Sequence, residues 1–171
     1  MGGGILPYTI HEGEIYFLLS RESIDYKWKE SGLWSDFGGK KEKTETYKDA
    51  AIREGYEESN GILGDEKYIE NLIDNHCIFH LTKNKHRVYV VYIKYDKHIP
   101  RKYRRKYLKV RNYNPEEFKQ NRHFYEKDML RWMSIKDIYS NMNIFRYYYK
   151  YVIKNIVSRM KTYAIEDITL N

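Results

Sequence analysis

The stretch FGGKKEKTETYKDAAIREGYEESNG, Phe37 to Gly61, decides the reading of this chain. It opens on two glycines and closes on acids gathered around one arginine, although the chain as a whole carries a formal net charge of +7. Thr46 can cap a helix with Asp49 three residues on, so a helix is expected from Thr46 to about Ser59. On it Glu54, Glu57 and Glu58 stand at i, i+3 and i+4 and share one face. Ile52 and Tyr56 fall on the opposite side and are expected to pack into a core. Like charges so placed repel, and Arg53 offsets only one of them. A hard, oxygen-loving cation such as Mg²⁺ is the natural counterpart for the rest. Such an ion also neutralises phosphate oxygens and lowers the pKa of a bound water. Taken alone, the same three residues also read as an exposed acidic helix face.

The 171 residues are expected to form one domain, 1–171, long enough to bury a core. Mean hydropathy is low at −0.83, but 42% hydrophobic residues and 19 tyrosines argue for folding rather than disorder. One cysteine, Cys77, excludes an internal disulfide and suits a reducing compartment. No apolar run approaches the roughly 20 residues of a membrane span, and no signal pattern opens the chain. Leu6 stands where a myristoylation motif wants Ser or Thr. The expectation is a soluble cytoplasmic protein without a membrane partner.

Between Lys97 and Arg111 lie eight basic residues and no acid, more than the whole net charge of +7. The basic character is therefore local. Runs Ile5–Ile10 and Glu14–Ser20, joined by HEGE, predict a hairpin, and His76–Leu81 with Arg87–Tyr95 across TKNK predict another. Phe145, Tyr149, Val152, Ile153, Ile156, Val157 and Met160 make an apolar stripe at helical spacing and predict a C-terminal helix packed on the core. Strands mixed with helices place the chain in the α/β or α+β class with a mixed sheet. His76 and His80 share one strand face while Cys77 points to the other, so zinc is not expected there.

From Gly39 the chain reads Gly, five residues, Glu45, seven residues, then Arg53-Glu54-x-x-Glu57-Glu58. This resembles the signature of Nudix hydrolases, which cleave a nucleoside diphosphate linked to another group. The chain departs from the pattern at Gly55, where the family has an apolar residue, and at Asn60-Gly61, where it has Gly and an apolar residue. Asn60 tolerates the left-handed conformation that ends helices. Gly55 costs about 1 kcal/mol against alanine in mid-helix and is expected to admit another backbone closely. The resemblance implies an α/β/α sandwich with a mixed sheet and a C-terminal helix. It implies Mg²⁺ or Mn²⁺ held by Glu54, Glu57 and Glu58, with the Gly39 carbonyl contributing, and a Glu45–Arg53 pair that positions the glutamates. GGGILPY and EIYFLLSRE look like the family's first strands, and LRWMSIKDI like its late strand and short helix. Lys97 to Arg122 stands out as a basic insertion. The general base implied is Glu54, Glu58 or Glu126, the last resembling the acid before the late strand in mRNA-decapping members; Asp128 is a further candidate.

The motif names the bond broken and not the molecule that carries it. KHIPRKYRRKYLKVR interleaves Arg101, Arg104 and Arg105 with Tyr103 and Tyr107, a composition that can track a phosphate backbone and stack unpaired bases; a solvated basic loop reads the same. Trp28 and Trp34 precede the motif and can stack on a base, a methylated cationic guanine best of all. These residues make capped RNA the expected substrate, cut to 7-methylguanosine diphosphate and 5′-monophosphate RNA, with a resemblance to the decapping Nudix enzymes of large DNA viruses, which act in the host cytoplasm. Asp36-Phe37-Gly38-Gly39-Lys40 departs from the Pro-[Arg/Lys]-Gly-Lys that opens the motif in many decapping enzymes. Small nucleotides, dinucleoside polyphosphates and diphosphoinositol polyphosphates are the alternatives. A non-catalytic RNA-binding module would have lost motif acids, and here all of them stand.

Overall fold

The computed structural model describes residues 1–26 and 28–169, with side chains to residue 163. Strands β1 (Gly2–His11) and β2 (Glu14–Glu22) form the first expected hairpin, longer at both ends than the apolar runs that announce it. Its turn is Glu12-Gly13, both at positive φ (51° and 77°), which matches the twist of the flanking strands. Short β3 (Trp34–Ser35) pairs with the far end of β2, and β4 (Phe37–Lys40) with the start of β1. Residues 34–40 thus bridge the gap where β1 and β2 diverge. Helices α1 (Tyr47–Glu58) and α2 (Glu66–Asn75) follow, then the second hairpin, β5 (Cys77–Lys83) and β6 (His86–Tyr92). Its two-residue turn, Asn84-Lys85, again has positive φ (50° and 62°).

Strand β6 runs parallel to β1 and β5 antiparallel to β6, so the sheet is mixed. Helices α3 (Ile99–Tyr113) and α4 (Pro115–Gln120) and a 3-10 turn (Arg122–Tyr125) lead into β7 (Lys127–Ser134), which pairs with β2. The chain closes with α5 (Ile135–Ser140) and α6 (Tyr149–Thr169). Among the described residues no helix is long and apolar enough to cross a membrane.

Strand alternation divides the core into two layers. Phe17 and Leu19 face α6, where Val152, Ile153, Ile156, Val157 and Met160 cover them, as the C-terminal stripe requires. Leu18 between them faces the other layer, with Ile5, Phe37, Val91 and Leu130, under α1, α2 and Tyr103 of α3. The result is the α/β/α sandwich. Two elements depart from the sequence expectation. The basic segment is a packed helix whose buried stripe is Tyr103, Tyr107 and Val110, and α2 is an unforeseen helix that buries Ile69, Leu72 and Ile73.

Helix α1 begins as expected. The Thr46 hydroxyl accepts the Asp49 N–H at 3.1 Å and the Asp49 carboxylate accepts the Thr46 N–H at 2.8 Å. It ends through Asn60 and Gly61 at positive φ (52° and 68°). Its most buried face is Ala50, Ala51, Gly55 and Glu58, while Ile52 and Tyr56 are only partly covered at the edge of the same layer. At Gly55 the close neighbour is a side chain rather than a backbone: a Cβ would stand 2.9 Å from Ile5 Cδ1. The true backbone approach is at Gly3, where a Cβ would stand 2.9 Å from the Ala51 nitrogen and still nearer the Tyr47 carbonyl oxygen. Helix α1 therefore lies directly on the glycine end of β1. Gly3→Ala is expected to lower stability by about 3 kcal/mol through this overpacking, measured by urea unfolding; a loss under about 0.5 kcal/mol, the range of a neutral surface change, would show that α1 can lift off the sheet freely.

Candidate active site

Arg53 organises the acid-rich end of α1. Its Nε and Nη2 donate to the two Glu45 oxygens at 2.7 and 3.1 Å, and Nη2 also reaches the Lys40 carbonyl at 3.1 Å. Nη1 donates to Glu54 at 2.8 Å and Glu57 at 3.1 Å. The hydrogen bond from Arg53 holds the Glu45 carboxyl below its usual range, and the same bond raises the guanidinium. Glu45 further accepts the Glu42 N–H at 2.7 Å, so the loop before α1 is pinned to the helix.

Glu58 points the other way, into the protein. One oxygen accepts the Gly38 N–H at 2.7 Å and the other lies 3.1 Å from Lys127 Nζ. Lys127 is fully buried and also donates to Glu22 and, at 3.3 Å, to the Ser35 hydroxyl. Glu22 in turn accepts Arg146 Nη1 at 3.0 Å, and Arg146 Nε donates to Glu30 at 2.8 Å. Burial alone would lower the Lys127 ammonium, but Glu58 and Glu22 outweigh it and hold Lys127 charged. Burial pushes the Glu58 carboxyl well up, Lys127 opposes that, and Glu22 and Glu54 add to it. Lys127, Glu22 and Arg146 escape a reading of the motif alone because they lie far from it in the chain.

Two acids look outward. Glu54 packs against Gly39, where any Cβ would collide with its carboxylate. Burial raises the Glu54 carboxyl, Arg53 opposes, and Glu57 and Glu126 reinforce it. Glu126, at the exposed rim just before β7, is raised by desolvation, with Glu22 and Glu57 adding to it against Lys127 and Arg122. Among the described residues it forms no ion pair. The Gly39 carbonyl lies against Gly2, on the β1 side. Gly39 therefore makes room for Glu54 rather than presenting its oxygen to the acids.

The remaining expected residues separate. Trp34 is only 6% exposed and belongs to the α6-side core, so it cannot stack on a ligand. Trp28 is 44% exposed, with the Arg146 guanidinium 5.2 Å from its ring centroid. Tyr103 and Tyr107 are core residues rather than stacking platforms: Tyr103 Oη donates to the Glu58 and Lys127 carbonyls at 3.1 and 2.8 Å. Arg104 donates to the Asp128 carbonyl at 2.8 Å and is committed to the fold. Asp128 is fully buried against Arg21, at 2.8 and 2.9 Å, and is not available as a base. Arg101 and Arg105 are exposed on the outer face of α3. Beside Gly38 and Gly39 opens a cavity of about 280 Å³ lined by Lys40, Lys85, His86, Arg146 and Tyr148.

Among the described residues no three His, Cys, Asp or Glu side chains already converge to hold an ion, because Arg53 and Lys127 occupy the motif carboxylates. The donor chemistry nevertheless fits a hard divalent cation. Glu54, Glu57 and Glu126 are oxygen donors; Glu57 and Glu126 push the Glu54 carboxyl up and Glu57 pushes Glu126 up, a surplus of negative charge that such an ion would relieve. Because the Glu54 carboxyl is raised on folding, the stability it confers is present below the ordinary carboxylate range and lost as pH rises through its raised value. Glu54→Gln is therefore expected to match the wild type in urea midpoint near pH 4 and to exceed it near pH 7, about and well above the free-carboxyl pKa. Added Mg²⁺ should raise the wild-type midpoint at the higher pH and leave that of the variant unchanged; a gap that ignores pH would overturn the assignment.

The sequence profile of the NUDIX domain matches residues 4–150. Over 58 residues, 33% of this chain, the sequence is 48% identical to uncharacterized protein L534 of Acanthamoeba polyphaga mimivirus, and the match spans 18% of that protein's length. The fold is similar to a Caenorhabditis elegans Ap4A hydrolase binary complex (TM-score 0.56, 16% identity, covering 97% of this chain and 99% of that one). It is similar also to the NUDIX domain of Shewanella oneidensis NrtR complexed with ADP ribose (TM-score 0.56, 13% identity, covering 93% and 86%) and to a mutT/nudix family protein from Listeria innocua (0.52, 14%, covering 99% and 96%). With the profile matched across nearly the whole chain and the acids of α1 standing where that family's signature puts them, the chain belongs to the Nudix family.

Proposed function

We propose that this protein is a hydrolase of phosphoanhydride bonds that acts on the 5′ cap of RNA, releasing 7-methylguanosine diphosphate and 5′-monophosphate RNA. The observation that carries the reading is the attachment of α3 to the acid site. Tyr103 bonds the carbonyls of Glu58 and Lys127, and Lys106 Nζ donates to the Asn60 carbonyl at 2.7 Å, so the helix is anchored at the C-terminal end of α1. Its outer face then carries Arg101, Arg105 and Lys109 one turn apart into solvent. Such a row of cations serves a phosphate backbone that continues beyond the reacting bridge. Trp28, exposed and backed by Arg146, supplies a ring for an unpaired base.

Glu54 and Glu57 would hold Mg²⁺ or Mn²⁺, leaving Glu126 at the rim as the base. A divalent ion there neutralises phosphate oxygens and acidifies water. Glu58 and Lys127 fix the floor of the site, and Arg53 fixes the angle of Glu54 and Glu57. Water adds to one phosphorus of the bridge, its proton passes to Glu126, and the bridging oxygen leaves with the departing phosphate. Glu126 takes that role because Glu58 is buried and doubly bonded, while Glu54 is tied to Arg53. The cationic cavity formed by Lys40, Lys85, His86 and Arg146 favours a second reading, a compact dinucleoside polyphosphate or diphosphoinositol polyphosphate whose phosphate chain ends there.

Cap-labelled RNA incubated with Mg²⁺ or Mn²⁺ should release 7-methylguanosine diphosphate, in strong preference to free cap analogue, a dinucleoside polyphosphate and a diphosphoinositol polyphosphate. Turnover of a small substrate alone would sink the RNA reading and leave the second. Glu126→Gln is expected to lower kcat by about 10²–10⁴-fold with little change in KM, the range for a general base. Reversing Arg101, Arg105 and Lys109 to Glu should raise KM for RNA and flatten the slope of its salt dependence by about two, roughly 0.7 for each lost phosphate contact on a single strand. Small substrates should be unaffected by that change.

A further inference from the structure

A second cavity, of about 510 Å³, lies between the C-terminal end of α1 and the helices α3 and α4. Its lining is unlike that of the cationic cavity beside Gly39. Aromatic rings come from Tyr56, Phe124 and Tyr125, and carboxylates from Asp65 and Glu117. One ammonium, that of Lys106, is already bonded to the Asn60 carbonyl. Although it adjoins the basic helix α3, this cavity therefore carries more negative than positive groups.

We infer that this cavity binds a flat, positively charged heterocycle with an N–H donor edge, and that the N7-methylated guanine of a capped substrate is its occupant. The inference rests on the capped-RNA reading for the identity of the base and deepens it by assigning the base a pocket. Aromatic rings attract a delocalised cation through their faces. A carboxylate accepts the paired N–H groups of a guanine edge, and a charged acceptor makes these bonds strong. Glu117 is oriented to do so, since its Oε1 accepts the Tyr125 hydroxyl at 3.1 Å while Oε2 has only the long 3.4 Å contact from Asn114. Phe124 stands edge-on to Tyr56 at 5.5 Å, which fixes both rings.

The pocket also lies at the correct end of the machinery. Tyr125 of its lining directly precedes Glu126 in the chain, so a base held here would leave its phosphates on the side of that rim acid. The RNA side of the bridge is then free to run along the outer cations of α3. Asn60, the chain's departure from the family signature, forms part of the pocket wall.

The test is binding without turnover. The full chain, free of divalent ions, is titrated calorimetrically with 7-methylguanosine diphosphate, guanosine diphosphate and adenosine diphosphate. The methylated nucleotide should bind at least about tenfold tighter than the unmethylated one, a difference in the range of a desolvated cation–π contact. Glu117→Gln and Phe124→Leu should each abolish most of that preference while leaving cleavage of a small phosphoanhydride unchanged. Equal affinity for all three nucleotides overturns the inference. So does a preference that survives both variants, or one lost instead with Trp28→Ala, which would seat the base on the Trp28 loop. A preference that behaves as expected while capped RNA stays uncut sinks the decapping reading and keeps the pocket. Cleavage of capped RNA with no methyl preference does the reverse.

Discussion

One buried ammonium holds the site together. Lys127 Nζ lies between Glu22 on β2 and Glu58 on α1, beside Ser35 of β3, and its own carbonyl accepts Tyr103 of α3. Four elements are thereby fixed to a single residue at the start of β7. Two carboxylates around a single cation leave a net negative centre, and Arg146 offsets part of it through Glu22. Removing one partner of such a buried arrangement costs about 3–5 kcal/mol, because the others are left charged and dry. The network orders the acid helix relative to the sheet and holds Glu58 against the strand backbone.

The outward-facing acids depend on that inward anchor. Glycine makes the close approach possible. Gly3 lets α1 lie on β1, Gly39 leaves room for the Glu54 carboxylate, and Gly38 offers its N–H to Glu58. With backbone and helix so close, Glu54 and Glu57 are forced to share one Arg53 nitrogen, and their charge is only partly answered. That imbalance adds to the burial that raises Glu54 and Glu126, and it makes the rim receptive to a cation and to the phosphates it accompanies. The same site is flanked by cavities of opposite character, one lined by Lys40, Lys85 and Arg146 and one by Glu117, Asp65 and aromatic rings.

Where sequence and structure part, the reason is what a side chain packs against. The segment KHIPRKYRRKYLKVR has so many charges that its composition resembles a solvated insertion. Its three buried positions, Tyr103, Tyr107 and Val110, nevertheless repeat at helical spacing and turn it into a structural helix. Trp34 and Trp28 look equivalent along the chain, but Trp34 falls on a strand facing α6 and Trp28 on a surface loop. Helix α2 is hidden in the sequence because its stripe, Ile69, Leu72 and Ile73, is short and lies among polar residues.

The sequence by itself determined the features that depend on local spacing. Among them are the capped helix with three glutamates, the two hairpins, the apolar stripe of α6, and hence an α/β or α+β class with a mixed sheet, while the α/β/α arrangement is implied by the family resemblance. Each is set by periodicity or by the backbone preference of a few adjacent residues. Only the tertiary structure decided which of the motif's acids face water and which do not, because that depends on a lysine 69 positions after Glu58 and a glutamate 36 before it. It likewise decided that two tyrosines of the basic segment serve the core while its arginines divide between fold and surface. Burial and charge pairing act through space, and no spacing along the chain encodes them.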